Sequence, residues 1–339
     1  MQAEIIDPTA RPIPADWEAF RLARSLPASM HADVLTALAW TSTRAVRVGI
    51  VREGGDVVAV LTGDVLTGRA ARQYSAPARR RVAGVFSCRM PVSFSRGVHF
   101  ADCLPRPERR QAIRAFESAL RADLGPGLLG CLYEKVEDAE DLLFGPAVLR
   151  GTSPSTVLHN AWDDLDAYLA WLPARRRRRL VRLRREVAAA VRVQPFTAET
   201  IDARQASRLD SLTRARHAGG RAVPPLSPVY LEQLARRPGV CFLGYADGER
   251  LLAFDLMIGW GKDLLTLVHG GLDSPQSGVR NLYFDLYLRE IEHLIASGLD
   301  SIEFGPGMPE VKTAFGARLV PRQAVLRAIL PGRRRGWAA

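Results

Sequence analysis

Three titratable side chains in the C-terminal third of the chain have types and positions suited to proton transfer or anion binding. Lys312 is one of only three lysines in an arginine-rich chain, and it follows the segment FGPGMPEV at the start of a predicted short helix. A compact ammonium group there can hold a phosphate or a carboxylate. His269 and Glu303 lie near the C-terminal ends of two predicted strands, and histidine can act as a base near neutral pH. The alternative for each residue is a structural role: a solvated lysine, or a polar group within a strand.

A run of arginines provides the strongest positive charge in the sequence. Within ARRRRRLVRLRREV, Leu180, Leu183 and Val187 recur at helical spacing, so the run is predicted to be one face of an amphipathic helix. The arginines spaced at i, i+3, i+7 and i+10 form a cationic ridge on that helix: Arg175, Arg178, Arg182 and Arg185. Such a ridge suits an RNA backbone or a pyrophosphate-bearing substrate. A solvated face in an arginine-biased protein is the alternative.

A glycine-rich segment, GGLDSPQSGVRNLY, precedes the last long predicted helix. The amides at a helix N-terminus bind phosphate readily, which makes Gly278, Arg280 and Asn281 candidate binding residues. Tyr283 follows on the same helix and shares a face with Tyr287, four residues later. This pair can line a substrate pocket, or it can belong to the core.

The composition limits the class of protein and its partners. The 339 residues are 47% hydrophobic and 24% charged, as in an average globular protein, and the net charge is +11. That charge favours phosphate-rich partners. The four cysteines are scattered without metal-binding spacing, so no metal site and no redox motif are expected. Neither a signal peptide nor a membrane-spanning run of about 20 apolar residues is present, which predicts a cytoplasmic protein without a membrane partner.

The order of predicted elements occurs twice along the chain. Each half contains a hairpin with a glycine turn, a further strand, a helix and another strand, and GIVREGGDVVAVL in the first half matches GYADGERLLAFDL in the second. The first half also contains a predicted short helix at 137–144. We therefore expect an α/β protein with mixed sheets, divided into two domains at residues 1–160 and 161–339.

Residues 160 to 330 resemble a known family. The segments that carry the resemblance are HGG at 269–271, the tyrosine-rich helix, GLDSIEFGPG, VKTAFGARLVP, and YLAWL just before the arginine run. The most specific part is Phe304-Gly305, then Lys312, then Phe315-Gly316-Ala317. Together they resemble the C-terminal half of Fem-type proteins, which are acyltransferases and aminoacyltransferases built from two tandem GNAT domains.

The resemblance implies a reaction as well as a fold. Two neighbouring strands of a GNAT domain splay apart and admit the acyl donor as an extra strand, and an amine acceptor then attacks the activated carbonyl directly. The expected donor is a co-substrate, either aminoacyl-tRNA or an acyl thioester on coenzyme A or a carrier protein, and no cofactor is expected to bind tightly. The acceptor is an amine of a small molecule, such as a cell-wall or natural-product precursor.

One motif departs from the family. The usual GNAT phosphate loop reads Q/R-x-x-G-x-G/A, whereas this chain has QSGVRN at 276–281, with one glycine too few. This departure favours tRNA over coenzyme A as the donor. A protein that binds RNA on a degenerate GNAT scaffold, without catalysis, is the alternative function.

Overall fold

The structure, a computed structural model, describes residues 1–66, 83–90, 95–197, 199–217, 224–271 and 279–329. The chain divides into two compact units. The first consists of the described parts of residues 1–24, 38–153 and 321–339, and the second consists of residues 25–37 and 154–320. Among the described residues, no helix has both the length and the apolar character needed to cross a membrane.

The division differs from a single boundary after residue 160 because the units exchange two segments. Residues 25–37 join the second unit, where Met30, Val34 and Leu35 are fully buried. The chain from residue 321 joins the first unit, where Val325 belongs to the hydrophobic core. Burial of these apolar side chains far from their sequence neighbours favours the exchange, and no local sequence pattern reports it.

The first unit contains one mixed sheet. Its strands and helices are β1 (Gln2–Ile6), α1 (Ala15–Ala23), β2 (Val46–Glu53), β3 (Asp56–Leu66), β4 (Gly84–Cys88), β5 (Val98–Phe100), α3 (Arg106–Leu124), β6 (Leu128–Val136) and β13 (Arg318–Ala328). The sheet order is β1-β2-β3-β4-β6-β13, and β5 pairs with β3. Helix α3 packs its apolar face on the sheet so closely that a Cβ at Gly49 would lie 2.5 Å from the Phe116 ring.

The predicted short helix at 137–144 is wrong, because turns occupy that segment. The Asp138 carboxylate accepts a hydrogen bond from the backbone N–H of Glu140, at 2.9 Å. This local bond from an aspartate side chain stabilises a turn in competition with the helix.

The described part of the second unit contains six strands of mixed sheet, covered by helices. Its elements are α2 (Ala32–Thr41, shared with the first unit), β7 (Ala147–His159), α4 (Leu165–Trp171), α5 (Ala174–Ala190), β8 (Arg192–Phe196), α6 (Ala203–His217), α7 (Pro228–Ala235), β9 (Val240–Asp247), β10 (Arg250–Trp260), β11 (Asp263–Gly270), α8 (Leu282–Ala296), β12 (Ser301–Gly305) and α9 (Pro309–Ala314). The sheet order is β7-β12-β11-β10-β9-β8.

The two units share the order of elements that the sequence predicts. In each, an antiparallel hairpin is followed by a third antiparallel strand, a long helix and a fourth strand parallel to the third. The prediction of an α/β protein with mixed sheets and two related halves is therefore confirmed. The amphipathic arginine helix is confirmed as α5, which buries Leu180, Leu183 and Val187.

Candidate active site

The parallel strands β11 and β12 of the second unit separate after three pairs of residues. The pairing ends at Leu265 and Glu303, although β11 continues to Gly270. In the first unit, the corresponding strand β4 pairs with β6 over its whole length, from Gly84 to Cys88. The edge of β11 that faces β12 therefore has no strand partner among the described residues from Thr266 onward. Backbone groups at such an edge can pair with an extended ligand.

A β-bulge in β11 directs two polar side chains to one face of the sheet. Met257 pairs with Thr266 and Leu256 pairs with Val268, so Leu267 is an extra residue in β11. Side chains three positions apart in a regular strand lie on opposite faces, and the extra residue cancels that alternation. Thr266 and His269 consequently both face helix α8.

Four side chains from β10, β11 and α8 form a buried polar cluster: Asp255, Thr266, His269 and Glu290. The Thr266 hydroxyl donates to Glu290 Oε1 at 2.6 Å, and His269 Nε2 lies 3.0 Å from the same oxygen. His269 Nε2 also lies 3.3 Å from Asp255 Oδ1. Both carboxylates are fully buried, whereas the His269 side chain is 16% exposed.

The electrostatics of the cluster are dominated by two close carboxyl groups. Burial raises the pKa of Asp255 well above its ordinary value, and the nearby charge of Glu290 raises it further. Asp255 is register partner to His269 on the neighbouring strand, which accounts for their contact. A single proton on His269 Nε2 can form a good hydrogen bond to only one of the two carboxyl groups. Glu290 Oε1, at 3.0 Å, is nearer than Asp255 Oδ1, at 3.3 Å, and is the favoured acceptor.

Lys312 lies in α9, buried at the end of β12. Its Nζ donates to the backbone oxygens of Phe304, at 2.6 Å, and Gly305, at 3.0 Å. Burial lowers the pKa of Lys312 to about 8, while the charges of Glu290 and Glu303 act to raise it. The ammonium group therefore lies close to the polar cluster, beside the point at which β12 separates from β11.

The structure brings several of the sequence-predicted residues together. Glu303 is half-buried at the last paired position of β12. Tyr283 is half-buried on α8; its hydroxyl accepts a hydrogen bond from Tyr287 at 2.7 Å, and its ring lies 6.4 Å from that of His269. Tyr283 is thus next to the polar cluster and also contributes to the packing around it.

The remaining predicted binding residues lie at the start of α8 and along α5. Asn281 adopts a left-handed conformation before α8, and it and Arg280 are exposed, whereas Gly278 lies outside the described residues. The ridge arginines are all exposed: Arg175, Arg178, Arg182 and Arg185. The C-terminal segment at 331–339 also lies outside the described residues.

Two members of the cluster, Asp255 and Glu290, were not among the candidate residues predicted from the sequence. Glu290 follows Tyr287 by three residues and precedes Leu294 by four, and all three are fully buried. An acid in such a helical stripe is the signal that identifies it, because a buried carboxylate needs polar partners.

Solved structures with the same fold are similar to nearly the whole chain. The C-terminal domain of a putative lysylphosphatidylglycerol synthetase from Agrobacterium fabrum has a TM-score of 0.57 at 12% identity, covering 92% of this chain and 91% of that one. L-PGS from Bacillus licheniformis has a TM-score of 0.56 at 10% identity, with coverage of 93% and 91%. FemX has a TM-score of 0.55 at 12% identity, with coverage of 96% and 97%. The chain therefore shares its fold with FemX and with the two synthetase structures.

These likenesses are structural only. No protein-family model matches the sequence, and no curated protein matches it significantly. At such low identity the structures establish the fold, and the chemistry has to be argued from the residues of this chain.

Proposed function

We propose that the protein transfers an acyl or aminoacyl group to an amine, at the gap between β11 and β12 of the second unit. The observation that carries this proposal is the separation of the two strands after Leu265 and Glu303, with buried Lys312 beside it. The first unit, whose parallel strands stay paired, is proposed to have a structural role.

The open edge of β11 supplies the binding half of the proposal. An extended arm of the donor pairs with the backbone N–H and C=O groups of β11 beyond Leu265, as an added strand would. This pairing places the activated carbonyl between the two strands. Backbone N–H groups near that position then stabilise the oxyanion of the tetrahedral intermediate.

Lys312 is the proposed proton acceptor. Because its pKa is about 8, a useful fraction of its amine is neutral near physiological pH. The acceptor amine attacks the donor carbonyl, a C–N bond forms, and its proton passes to Lys312 Nζ. The bond to the ribose oxygen or thioester sulfur then breaks, and the proton moves to that leaving group.

His269 and Glu303 complete the proposed set by controlling the charge around Lys312. Glu303 and Glu290 both favour the ammonium form of Lys312, which keeps its pKa from falling further. His269 contacts Glu290 directly and so holds that carboxylate in position. Tyr283, Arg280, Asn281 and Gly278 are proposed to contact the substrates, since they belong to α8 and the segment before it.

Aminoacyl-tRNA and an acyl thioester on coenzyme A or a carrier protein are both proposed donors, bound as co-substrates. The exposed ridge on α5 favours tRNA, because consecutive exposed arginines bind a phosphate backbone well. The proposed acceptor is the amine of a small molecule, such as a cell-wall or natural-product precursor. The same ridge supports the second candidate function, an RNA-binding protein without catalysis.

The experiment offers the protein each donor in turn and measures whether the tRNA ester or the coenzyme A thioester is broken. Purified protein is incubated with an amine mixture and either charged total tRNA or acetyl-CoA, and loss of the ester or thioester is measured. We expect consumption of one donor, and a decrease of at least about 100-fold in Lys312→Met, the size of a general-base contribution. Lys262→Met, which changes an exposed lysine of the same unit, is the matched control.

Two outcomes would contradict the proposal. Full turnover by Lys312→Met would remove Lys312 from the reaction. Binding of tRNA without consumption of either donor, at any acceptor concentration, would favour the RNA-binding function instead.

A further inference from the structure

We propose that Asp255, His269 and Glu290 form a binding site for one divalent transition-metal ion of the zinc type. The site differs from the expectation of no metal, which the scattered cysteines suggested. It does not depend on the proposed transfer reaction, because it rests only on the geometry of three side chains.

The distances within the cluster match those between ligands of a single ion. One atom from each of the three side chains lies within 4.8 Å of the other two. His269 Nε2 is 3.3 Å from Asp255 Oδ1 and 3.0 Å from Glu290 Oε1. Ligand atoms bonded to a tetrahedral zinc ion at its usual distances are about 3.3 to 3.6 Å apart, and the two distances to His269 Nε2 are close to this range.

Unsatisfied oxygens in the cluster independently indicate a missing cation. Asp255 is fully buried, and neither of its carboxyl oxygens accepts a hydrogen bond from a side chain of the described residues; Glu290 Oε2 also lacks a hydrogen-bond partner among them. A buried carboxyl group without a partner is costly. A cation at the centre of the cluster would bond to both carboxylates at once.

Neither a histidine proton nor the neighbouring lysine satisfies both acids. The proton on His269 Nε2 can be donated well to only one of them, and the nearer is Glu290. The described hydrogen bonds of Lys312 Nζ go to two backbone oxygens and not to a carboxylate. Asp255 is left with only the longer contact to His269 Nε2, at 3.3 Å. A metal ion would supply a closer positive partner.

The donor set decides the class of ion. One imidazole nitrogen with two carboxylate oxygens suits Zn²⁺ and related transition metals better than Mg²⁺, which prefers oxygen ligands and bound water. The Thr266 hydroxyl donates a hydrogen bond to Glu290 and so fixes the orientation of that ligand, as residues hydrogen-bonded to the ligands do in other metal sites. The partly exposed His269 ring allows access from solvent.

The test measures metal binding directly, on the full-length protein without an affinity tag and after removal of metals with a chelator. Calorimetric titration with Zn²⁺ is expected to show one bound ion per chain, with Mg²⁺ binding much more weakly. Asp255→Asn and Glu290→Gln should weaken Zn²⁺ binding by at least about tenfold. Glu292→Gln should not, since Glu292 lies on the same helix but pairs with Arg184.

Co²⁺ provides a second readout that does not depend on affinity. Wild-type protein loaded with Co²⁺ should show the visible absorption of a tetrahedral ion, and His269→Gln should lose it. This variant also keeps the proposal testable if Asp255→Asn fails to fold. The proposal is overturned if wild type binds no Zn²⁺, or if Asp255→Asn and His269→Gln bind it as wild type does. A variant that loses metal binding but keeps acyl transfer, or the reverse, would show that this proposal and the proposed function stand or fail independently.

Discussion

Lys312 should give the protein a stability that increases with pH. Burial lowers its pKa from 10.5 to about 8 in the folded chain, whereas the unfolded chain keeps the ordinary value. Between these two values the unfolded state binds one more proton than the folded state. The free energy of unfolding therefore rises with pH in this range, because the cost of burying the ammonium group disappears.

The size of the effect follows from the shift. At 1.36 kcal/mol for each pKa unit, burial of the ammonium group lowers the free energy of unfolding by about 3 kcal/mol at low pH. Between about pH 7 and pH 10 the free energy of unfolding rises again by about 2.5 kcal/mol, as Lys312 loses its proton. Lys312→Met lacks the titrating group. The stability of wild type minus that of Lys312→Met should therefore increase by about 2.5 kcal/mol over that range.

Urea denaturation at several pH values measures this difference directly. Other groups that titrate in the range, such as the buried tyrosines, are common to both proteins and cancel in the subtraction. The same measurement on Lys262→Met, which changes an exposed lysine of the same unit, is the control. A flat difference for Lys312→Met, or one that falls with pH, would refute the reasoning and with it the role of Lys312 as a base near neutral pH.

Three further predictions concern other parts of the structure. Gly271→Ala should lower the free energy of unfolding by at least about 2 kcal/mol, because φ of Gly271 is +76° and the new Cβ would lie 2.5 Å from a backbone oxygen of β10. The control is Gly248→Ala, where φ is +57° but no atom lies near the new Cβ, and it should lower the free energy of unfolding by only about 1 kcal/mol. Urea denaturation measures both values. Glu117→Gln should cost about 3 kcal/mol by breaking the buried ion pair with Arg327, at 2.7 Å, and equal thermal denaturation of both proteins would contradict this. Arg178→Gln should leave the free energy of unfolding unchanged but weaken the salt dependence of tRNA binding. The slope of log K against log salt concentration should fall by about the contribution of one phosphate contact. An unchanged slope would mean that Arg178 is not part of the tRNA-binding surface.

The local elements of the chain were predictable from the sequence. Gly54-Gly55 and the turn at Gly248 occur between apolar alternating segments, and both form hairpins in the structure. Pro173 separates α4 from α5, because proline disfavours a helical conformation in the residue before it. These features depend on neighbouring residues, whose conformational preferences can be read along the chain.

The polar cluster was only partly predictable. His269 and Asp255 stand out in the sequence as polar residues in apolar strands, but nothing local shows that they are cross-strand partners. The shared face of His269 and Thr266 depends on the bulge at Leu267, which has no distinct sequence pattern. Glu290 joins them only because α8 packs on this face of the sheet.

The sequence by itself determined the order of strands and helices in the two halves, the amphipathic helix α5, and which fold family the second half resembles, whereas the helix it indicated at 137–144 does not form. Tertiary structure alone decided that β11 and β12 separate while β4 and β6 do not, that Lys312 is buried, and that Asp255, His269 and Glu290 meet. The physical reason is range: turns and amphipathic periods depend on a few adjacent residues, whereas strand separation, burial and side-chain contacts depend on packing between segments far apart in the chain.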